Sequence, residues 1–292
     1  MKQERIYLHS FTDKVYLDLF ICDDSASYSH HKRPFMLVCP GGGYGALSAR
    51  EAEPIARRYM GYGFNTAVLY YTINNRAGKV GLEGYKMFDR DSDALDEENG
   101  FPMPLIEVAK SISIIREHAE EWNTDPEQIA VIGFSAGAHL AGMSGILWDK
   151  KGLHKRIGSE NNRPNALLLI YPVVSGVDRP HKGSFINLLD QDSPSQELLI
   201  EYSLEKQVTE TTPPTFLFHT FADMAVPCEN SLMLARALRE HNVPCELHLL
   251  PELNHGIALA EGEVWPEAHP YNARWTDWSI QWLKTVFKIF KD

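Results

Sequence analysis

The stretch from residue 128 to 140, QIAVIGFSAGAHL, places a serine where it can act as a nucleophile. An apolar, β-branched run ends at Gly133, and a helical pattern begins directly after Gly137. Ser135 is therefore expected at the apex of a sharp, strained turn between strand and helix. Side chains two residues before or after it would collide, so both of those positions favour glycine. Because a helix start stabilises developing negative charge, the pattern predicts a nucleophile rather than an ordinary tight turn.

A serine hydroxyl is a weak nucleophile unless a base takes its proton and a third group orients that base. In strand–turn–helix sites of this kind, the acid and then the histidine come after later strands at the same edge of the sheet. Here Asp223 comes after the strand-like run PTFLFHT, and His255 comes after the strand-like run CELHLL. We predict Asp223 as the orienting acid and His255 as the base. The alternative for Asp223 is an aspartate that caps the next helix.

The other histidines are weaker candidates among the 12 in the chain. His139 lies four residues after Ser135 and shares a helix face with it. The turn lifts the serine above the helix start, so we expect His139 to form hydrogen bonds below the site; a role as the base is the alternative. His219 ends a strand near Asp223 and is predicted to pack against the loop there.

A glycine-rich loop is predicted to complete the site, because acyl transfer creates an oxyanion that needs N–H donors. Ala136 offers one donor at the helix start. The loop after the third strand reads Pro40-Gly41-Gly42-Gly43, without side chains to block its N–H groups. By position we assign Gly42 and Gly43 to the oxyanion hole. Phosphate binding is the alternative, but neither G-K-[ST] nor G-x-G-x-x-G occurs in this loop.

These residues must be held by a sheet, and strand-like apolar runs alternate with helical patterns along the chain. The pattern predicts an α/β fold with a mainly parallel central sheet and helices on both faces. We expect one domain over residues 1–292, with loop insertions at about 72–103 and 173–212 forming a small cap near the serine. Strands are predicted at 5–8, 15–20, 35–39, 64–71, 129–132, 165–171, 214–220 and 245–250, and helices at 51–60, 105–122, 195–202, 230–241 and 274–291.

Composition narrows the class of partner. The formal net charge of −11 and the pI of about 5.5 argue against nucleic acid or an anionic membrane. The charged N-terminus MKQERIYLHS predicts no signal peptide, and no apolar run is long enough for a membrane helix. The four scattered cysteines are expected to be reduced thiols in a cytoplasmic protein rather than a disulfide framework or a metal site.

Four motifs together resemble the α/β-hydrolase superfamily: GFSAGAHLA, PGGGY, D-x-x-V-P from Asp223 and N-H-G around His255. They are most similar to esterases with an HGGG loop, the acetyl-xylan-esterase-like and hormone-sensitive-lipase-like group. The turn that carries Ser135, called the elbow below, has the form S-A-G-x-H-L, which is also similar to feruloyl-esterase-like and kynurenine-formamidase-like members. Pro40 departs from this group, which usually has a histidine there that shapes the glycine loop.

The resemblance implies an α/β-hydrolase fold and a serine esterase with a Ser135–His255–Asp223 triad. It implies carboxylic-ester hydrolysis through an acyl-enzyme, without a metal or an organic cofactor. The implied substrates are small molecules, short-chain acyl (acetyl) esters, with sugars or xylo-oligosaccharides as the alcohol. Two alternatives stay open: an amidase or arylformamidase with the same triad, and a non-catalytic hydrolase-fold binding protein, against which an intact triad argues.

Overall fold

A computed structural model describes residues 1–23, 32–74, 87–89, 100–150, 152–262 and 267–288. The strands are β1 (Lys2–Tyr7), β2 (Tyr16–Ile21), β3 (Arg33–Cys39), β4 (Asn65–Tyr70), β5 (Phe88–Asp89), β6 (Phe101–Pro102), β7 (Thr124–Phe134), β8 (Ala166–Ile170), β9 (Thr215–Thr220) and β10 (Cys245–Leu250). The helices are α1 (Glu53–Met60), α2 (Met103–Glu117), α3 (Ala136–Ile146), α4 (Leu153–Ile157), α5 (Lys182–Leu189), α6 (Gln196–Glu201), α7 (Leu204–Gln207), α8 (Glu229–Glu240), α9 (Pro270–Ala273) and α10 (Trp275–Phe287). A 3-10 turn at Ala49–Glu51 precedes α1.

The central sheet has eight strands in the order β1-β2-β4-β3-β7-β8-β9-β10. β2 pairs antiparallel with both β1 and β4, and every other pair in this sheet is parallel. The predicted α/β fold with a mainly parallel sheet is therefore confirmed. The short strands β5 and β6 form a separate antiparallel pair.

The inner strands of the sheet are buried on both faces, which explains their solid apolar runs. In β7, Ile129 and Val131 face one hydrophobic core, and Ala130 and Ile132 face the other. Helices α2, α3 and α8 contribute to the first core, and α1 and α10 contribute to the second. The alternation results from the two-residue period of a strand.

The parallel strands bring their carboxyl ends to one edge of the sheet. The register pairs Cys39 with Gly133 between β3 and β7, and Leu250 with Thr220 between β10 and β9. The glycine loop, the serine turn and the loops after β9 and β10 therefore all leave the sheet at this edge. That is where open α/β sheets place their binding sites.

Several elements differ in extent from the sequence prediction. Helix α2 ends at Glu117, five residues before the predicted end at Trp122. In the insertion at 173–212, α6 matches the predicted helix at 195–202, whereas the sequence pattern does not predict α5. Most of the insertion at 72–103 lies outside the described residues.

Two other expectations concern the chain as a whole. The cysteines at positions 22, 39, 228 and 245 are free thiols in the structure. Among the helices of the described residues, none combines the length and the apolar character that crossing a bilayer requires.

Candidate active site

The serine lies on a strained turn between β7 and α3. Ser135 has φ 55° and ψ −119° and is 8% exposed. A Cβ on Gly133 would come within 2.1 Å of the Gly137 carbonyl oxygen, and a Cβ on Gly137 within 2.2 Å of the Cys39 carbonyl oxygen. Both contacts are with backbone, which cannot rotate away. The structure thus gives the predicted reason for glycine on either side of the serine.

The structure brings the three predicted triad residues into one hydrogen-bonded chain. His255 Nε2 lies 2.8 Å from Ser135 Oγ, and His255 Nδ1 lies 2.6 Å from Asp223 Oδ2. Because a carboxylate accepts hydrogen bonds, Nδ1 carries the proton and Nε2 accepts from the serine hydroxyl. Asp223 Oδ1 also accepts the N–H groups of Ala225 and Val226, at 3.0 and 2.8 Å.

A second histidine contacts the same carboxylate. His219 Nε2 lies 3.3 Å from Asp223 Oδ2 and 2.9 Å from the Val226 carbonyl oxygen, while Nδ1 lies 2.7 Å from Ser231 Oγ. Burial works against the charged carboxylate, but hydrogen bonds from His219 and His255 outweigh it and hold the pKa of Asp223 well below its usual range. His219 packs in this loop as predicted, and its contact with the acid is an addition from the structure.

The glycine loop after β3 lies against the serine. A Cβ on Gly41 would come within 3.1 Å of Ser135 Cβ, and Gly42 and Gly43 have φ of 132° and 64°. No acceptor among the described residues takes the N–H of Gly42, Gly43 or Ala136. These are the donors that the sequence assigns to the oxyanion hole, and none of them is paired within the described residues.

A buried carboxylate that sequence reasoning misses connects this loop to the histidine loop. Glu51 is 3% exposed; its Oε2 accepts the Gly41 N–H at 2.9 Å, and its Oε1 accepts the Tyr171 hydroxyl at 2.8 Å. The Tyr171 oxygen accepts the Ala258 N–H at 3.0 Å, and its ring packs edge-on against His255, with centroids 5.0 Å apart. Burial raises the pKa of Glu51, and the hydrogen bonds from Tyr171 and Gly41 counter part of the rise.

The sequence pattern puts Glu51 at the start of the predicted helix at 51–60, where acidic residues are common. In the structure it belongs to the 3-10 turn, and its side chain points inward. Its local sequence carries no signal for this role, because the partner Tyr171 is 120 residues away in the chain.

Tyrosine hydroxyls hold two further residues near the site, His139 and Pro40. His139 is fully buried; Nδ1 accepts the Tyr44 hydroxyl at 2.8 Å, and Nε2 donates to the Tyr202 carbonyl at 2.7 Å. Burial lowers the pKa of His139 to about 4, so the ring is neutral at neutral pH. This agrees with the predicted place below the serine. The Tyr71 hydroxyl donates to the Pro40 carbonyl at 2.6 Å and so holds the loop where Pro40 departs from the HGGG pattern.

Backbone strain is concentrated around these loops. Positive φ in a residue other than glycine is uncommon and marks positions that the surrounding structure enforces. Several such residues lie on the glycine loop, on the elbow, after β8 and on the histidine loop: Tyr44, Ser135, Tyr171, Leu253, Ala258 and Ala260. The site is therefore held in a specific geometry by the packing around it.

Ser135 lies on a strand-to-helix turn at the edge of an eight-stranded, mainly parallel sheet; it is hydrogen-bonded to His255, which is in turn hydrogen-bonded to Asp223. This combination defines an α/β-hydrolase. The family model described as BD-FAE matches residues 61–238. The chain belongs to the BD-FAE family, and the predicted group, the esterases of α/β-hydrolase fold, is confirmed.

Known relatives agree with this assignment. The chain is 33% identical over 241 residues to Endo-1,4-beta-xylanase B of Butyrivibrio fibrisolvens, covering 81% of this chain and 35% of the relative. It is 29% identical over 255 residues to Acetylxylan esterase of Xylanibacter ruminicola, covering 85% of this chain and 44% of the relative. The chain thus spans less than half the length of these two curated relatives.

A solved structure covers nearly the whole chain. The acetyl ester-xyloside bifunctional hydrolase from Caldicellulosiruptor lactoaceticus aligns with a TM-score of 0.77 and 30% identity. The alignment covers 98% of this chain and 96% of that one. The fold of the described residues is therefore shared with a hydrolase of known structure.

Proposed function

We propose that this protein is a serine carboxylic-ester hydrolase in which Ser135 forms an acyl-enzyme. The observation that carries the proposal is the hydrogen-bonded chain from Asp223 through His255 to Ser135. With its Nδ1 proton held by Asp223, the ring has the one tautomer that can take the serine proton at Nε2. The amidase alternative has no specific observation in its favour.

The residues account for both halves of an ester hydrolysis. Ser135 Oγ bonds to the acyl carbon while its proton moves to His255 Nε2, and the carbonyl π electrons move to the oxygen. When the carbonyl re-forms, the bond to the alcohol oxygen breaks, and Nε2 returns the proton to that oxygen. Water then repeats the sequence on the acyl-enzyme and releases the acid. Asp223 stabilises the imidazolium formed in each half.

The oxyanion that forms in each half needs donors already in place. We assign this role to the N–H groups of Gly42, Gly43 and Ala136, and their lack of an acceptor among the described residues supports the assignment. In related chemistry the loss of one such donor lowers kcat by roughly 10²- to 10³-fold. The hydrogen bond from Gly41 to Glu51 and that from Tyr71 to Pro40 hold the loop in this orientation.

For the substrate, we propose short-chain acyl esters, with acetyl groups on sugars or xylo-oligosaccharides as the preferred class. The support comes from relatives, one of which is named Acetylxylan esterase and another of which is described as an acetyl ester-xyloside bifunctional hydrolase. The net charge of −11 also favours a small neutral substrate over a polyanion such as nucleic acid.

Hydrolysis of p-nitrophenyl esters from acetate to decanoate, by the wild type and by Ser135→Ala, tests the proposal. We expect a burst of p-nitrophenol on acetate, a decline with chain length, and neither burst nor turnover in Ser135→Ala. Ser195→Ala is the matched control, because Ser195 caps α6 and is not part of the triad. Absence of turnover on every ester would overturn the proposal, and so would faster hydrolysis of N-formylkynurenine than of any ester.

A further inference from the structure

Helix α5 and the residue before it lie against Gly43 in the glycine loop, which carries the proposed oxyanion donors. Asn187 Nδ2 donates to the Gly43 carbonyl oxygen at 2.9 Å. His181 Cε1 and Ser184 Oγ each lie 3.8 Å from the point where a Cβ on Gly43 would be. Ser184 and Asn187 are three residues apart on α5 and so are neighbours on its surface, and His181 directly precedes the helix as its N-cap. The unpredicted helix of the 173–212 insertion thus forms a wall of the site.

The imidazole of His181 is fixed at one nitrogen and open at the other. Nδ1 lies 2.8 Å from the hydroxyl of Ser184, which is 1% exposed and so anchors the ring. Nε2 has no hydrogen-bond partner among the residues that the structure describes, and the residue is only partly buried. The Cε1 atom that is bonded to Nε2 lies beside Gly43, so a ligand that lies along the glycine loop can reach Nε2.

His181 is also close enough to the triad to interact with its charges. Burial and the nearby His255 lower the pKa of His181, with Asp223 opposing them. The ring is therefore neutral at neutral pH, and a neutral imidazole can donate or accept one hydrogen bond at its open nitrogen. A hydroxyl group can also do either, so it suits the ring in both tautomers.

We propose that His181 binds a free hydroxyl group on the alcohol part of the ester and so determines specificity for polyhydroxylated substrates. This inference rests on the proposed function. An acetyl group has no polar atom beyond its carbonyl, so the hydroxyl must belong to the alcohol. An alcohol without hydroxyl groups would leave Nε2 unpaired, and sites built to pair a hydroxyl discriminate strongly against analogues that lack it.

The test compares two acetate esters of similar ring size, 2-O-acetyl methyl β-D-xylopyranoside and cyclohexyl acetate. The first has free hydroxyl groups beside the ester, and the second has none. We expect His181→Phe to lower the ratio of kcat/KM for the xyloside to that for cyclohexyl acetate by about tenfold, mainly through a higher KM for the xyloside. His181→Gln keeps a hydrogen-bonding group and should restore part of the ratio.

His118→Phe is the matched control, because His118 is exposed and comes directly after α2, at the opposite edge of the sheet. It should leave the ratio within about twofold of the wild type. An unchanged ratio in His181→Phe would overturn the inference, whether both activities fall equally or neither falls. If the wild type shows a burst on p-nitrophenyl acetate but does not hydrolyse the xyloside, the inference falls and the esterase proposal stands. If no ester is hydrolysed, both fall.

Discussion

Replacing Glu51 with alanine tests whether its carboxylate holds the glycine loop. The change leaves two buried donors without their acceptor, the Gly41 N–H and the Tyr171 hydroxyl. Each unsatisfied buried donor costs about 1–3 kcal/mol, and removal of a buried carboxylate returns part of this. We therefore expect Glu51→Ala to lower the free energy of unfolding by about 2–4 kcal/mol.

Activity should fall as well, because the loop that carries the proposed oxyanion donors loses an anchor. One oxyanion donor is worth about 3–4 kcal/mol, and loss of half of that lowers kcat by roughly 10- to 30-fold. Urea denaturation and the kcat for p-nitrophenyl acetate measure the two effects separately. Loss of stability with an unchanged kcat would show that Glu51 does not hold the glycine loop in its active form. No change in stability or in kcat would show that the hydrogen bonds to Glu51 contribute nothing.

Two variants sharpen this experiment. Glu51→Gln can direct its amide oxygen to Gly41 and its NH₂ to the Tyr171 oxygen, so it should lose about 1 kcal/mol. Glu53→Ala removes an exposed carboxylate that pairs with Arg57 at 2.7 Å, and should change stability by no more than about 0.5 kcal/mol.

The pH dependence of stability has a definite sign at Glu51, whose pKa is raised on folding by burial. The contribution of Glu51 to the free energy of unfolding is fully present below its unfolded pKa of about 4.3, and it is lost as the pH rises through the folded pKa. The stability of the wild type relative to Glu51→Gln should therefore decrease as the pH rises above about 4.3. A difference that stays constant from pH 4 to pH 8 would contradict this.

Further predictions concern Asp223, the elbow and the glycine loop. Asp223→Asn should lower kcat/KM for p-nitrophenyl acetate by about 10³- to 10⁴-fold. The pKa of Asp223 is depressed in the folded protein, so its contribution to stability is present above about pH 4 and is lost on acidification. Thermal denaturation of Asp223→Asn should therefore show a smaller loss of stability between pH 5 and pH 3 than that of the wild type. Gly137→Ala should cost about 3 kcal/mol or more in urea denaturation, because its Cβ meets backbone. A Cβ on Gly262 meets no atom of the described residues within 4 Å, so Gly262→Ala should cost less than about 1 kcal/mol. Tyr71→Phe should cost about 1–2 kcal/mol and lower kcat several-fold, since it leaves the Pro40 carbonyl without its donor.

Much of the site can be predicted because its residues lie directly after strands. An apolar run precedes each of Ser135, Asp223 and His255 in the sequence. Parallel strands bring the loops at their carboxyl ends to one edge of the sheet. Gly133 and Gly137 can be explained from the turn alone, and the structure has backbone where their side chains would be. Order along the chain and local sterics are sufficient for these positions.

The missed features depend on contacts between distant parts of the chain. Glu51 is identified by its bond to Tyr171, and nothing in its own segment distinguishes it from an exposed acid at a helix start. Helix α5 (KGSFINLL) contains a glycine and an asparagine, so its intrinsic helix propensity is weak. Its stability comes from burying Phe185 and Leu188, which sequence periodicity over eight residues does not reveal. The role of His181 depends on that helix and is hidden from the sequence for the same reason.

The most direct test of the central claim is mass spectrometry after reaction with a fluorophosphonate. The hydrogen-bonded chain at Ser135 predicts one stoichiometric adduct on the peptide that contains GFSAGAHLA. It also predicts that acetyl esters supplied beforehand slow the labelling, and that His255→Ala slows it by several orders of magnitude. An unlabelled Ser135, or equal labelling in the wild type and His255→Ala, would contradict the assignment of Ser135 as the nucleophile and His255 as its base.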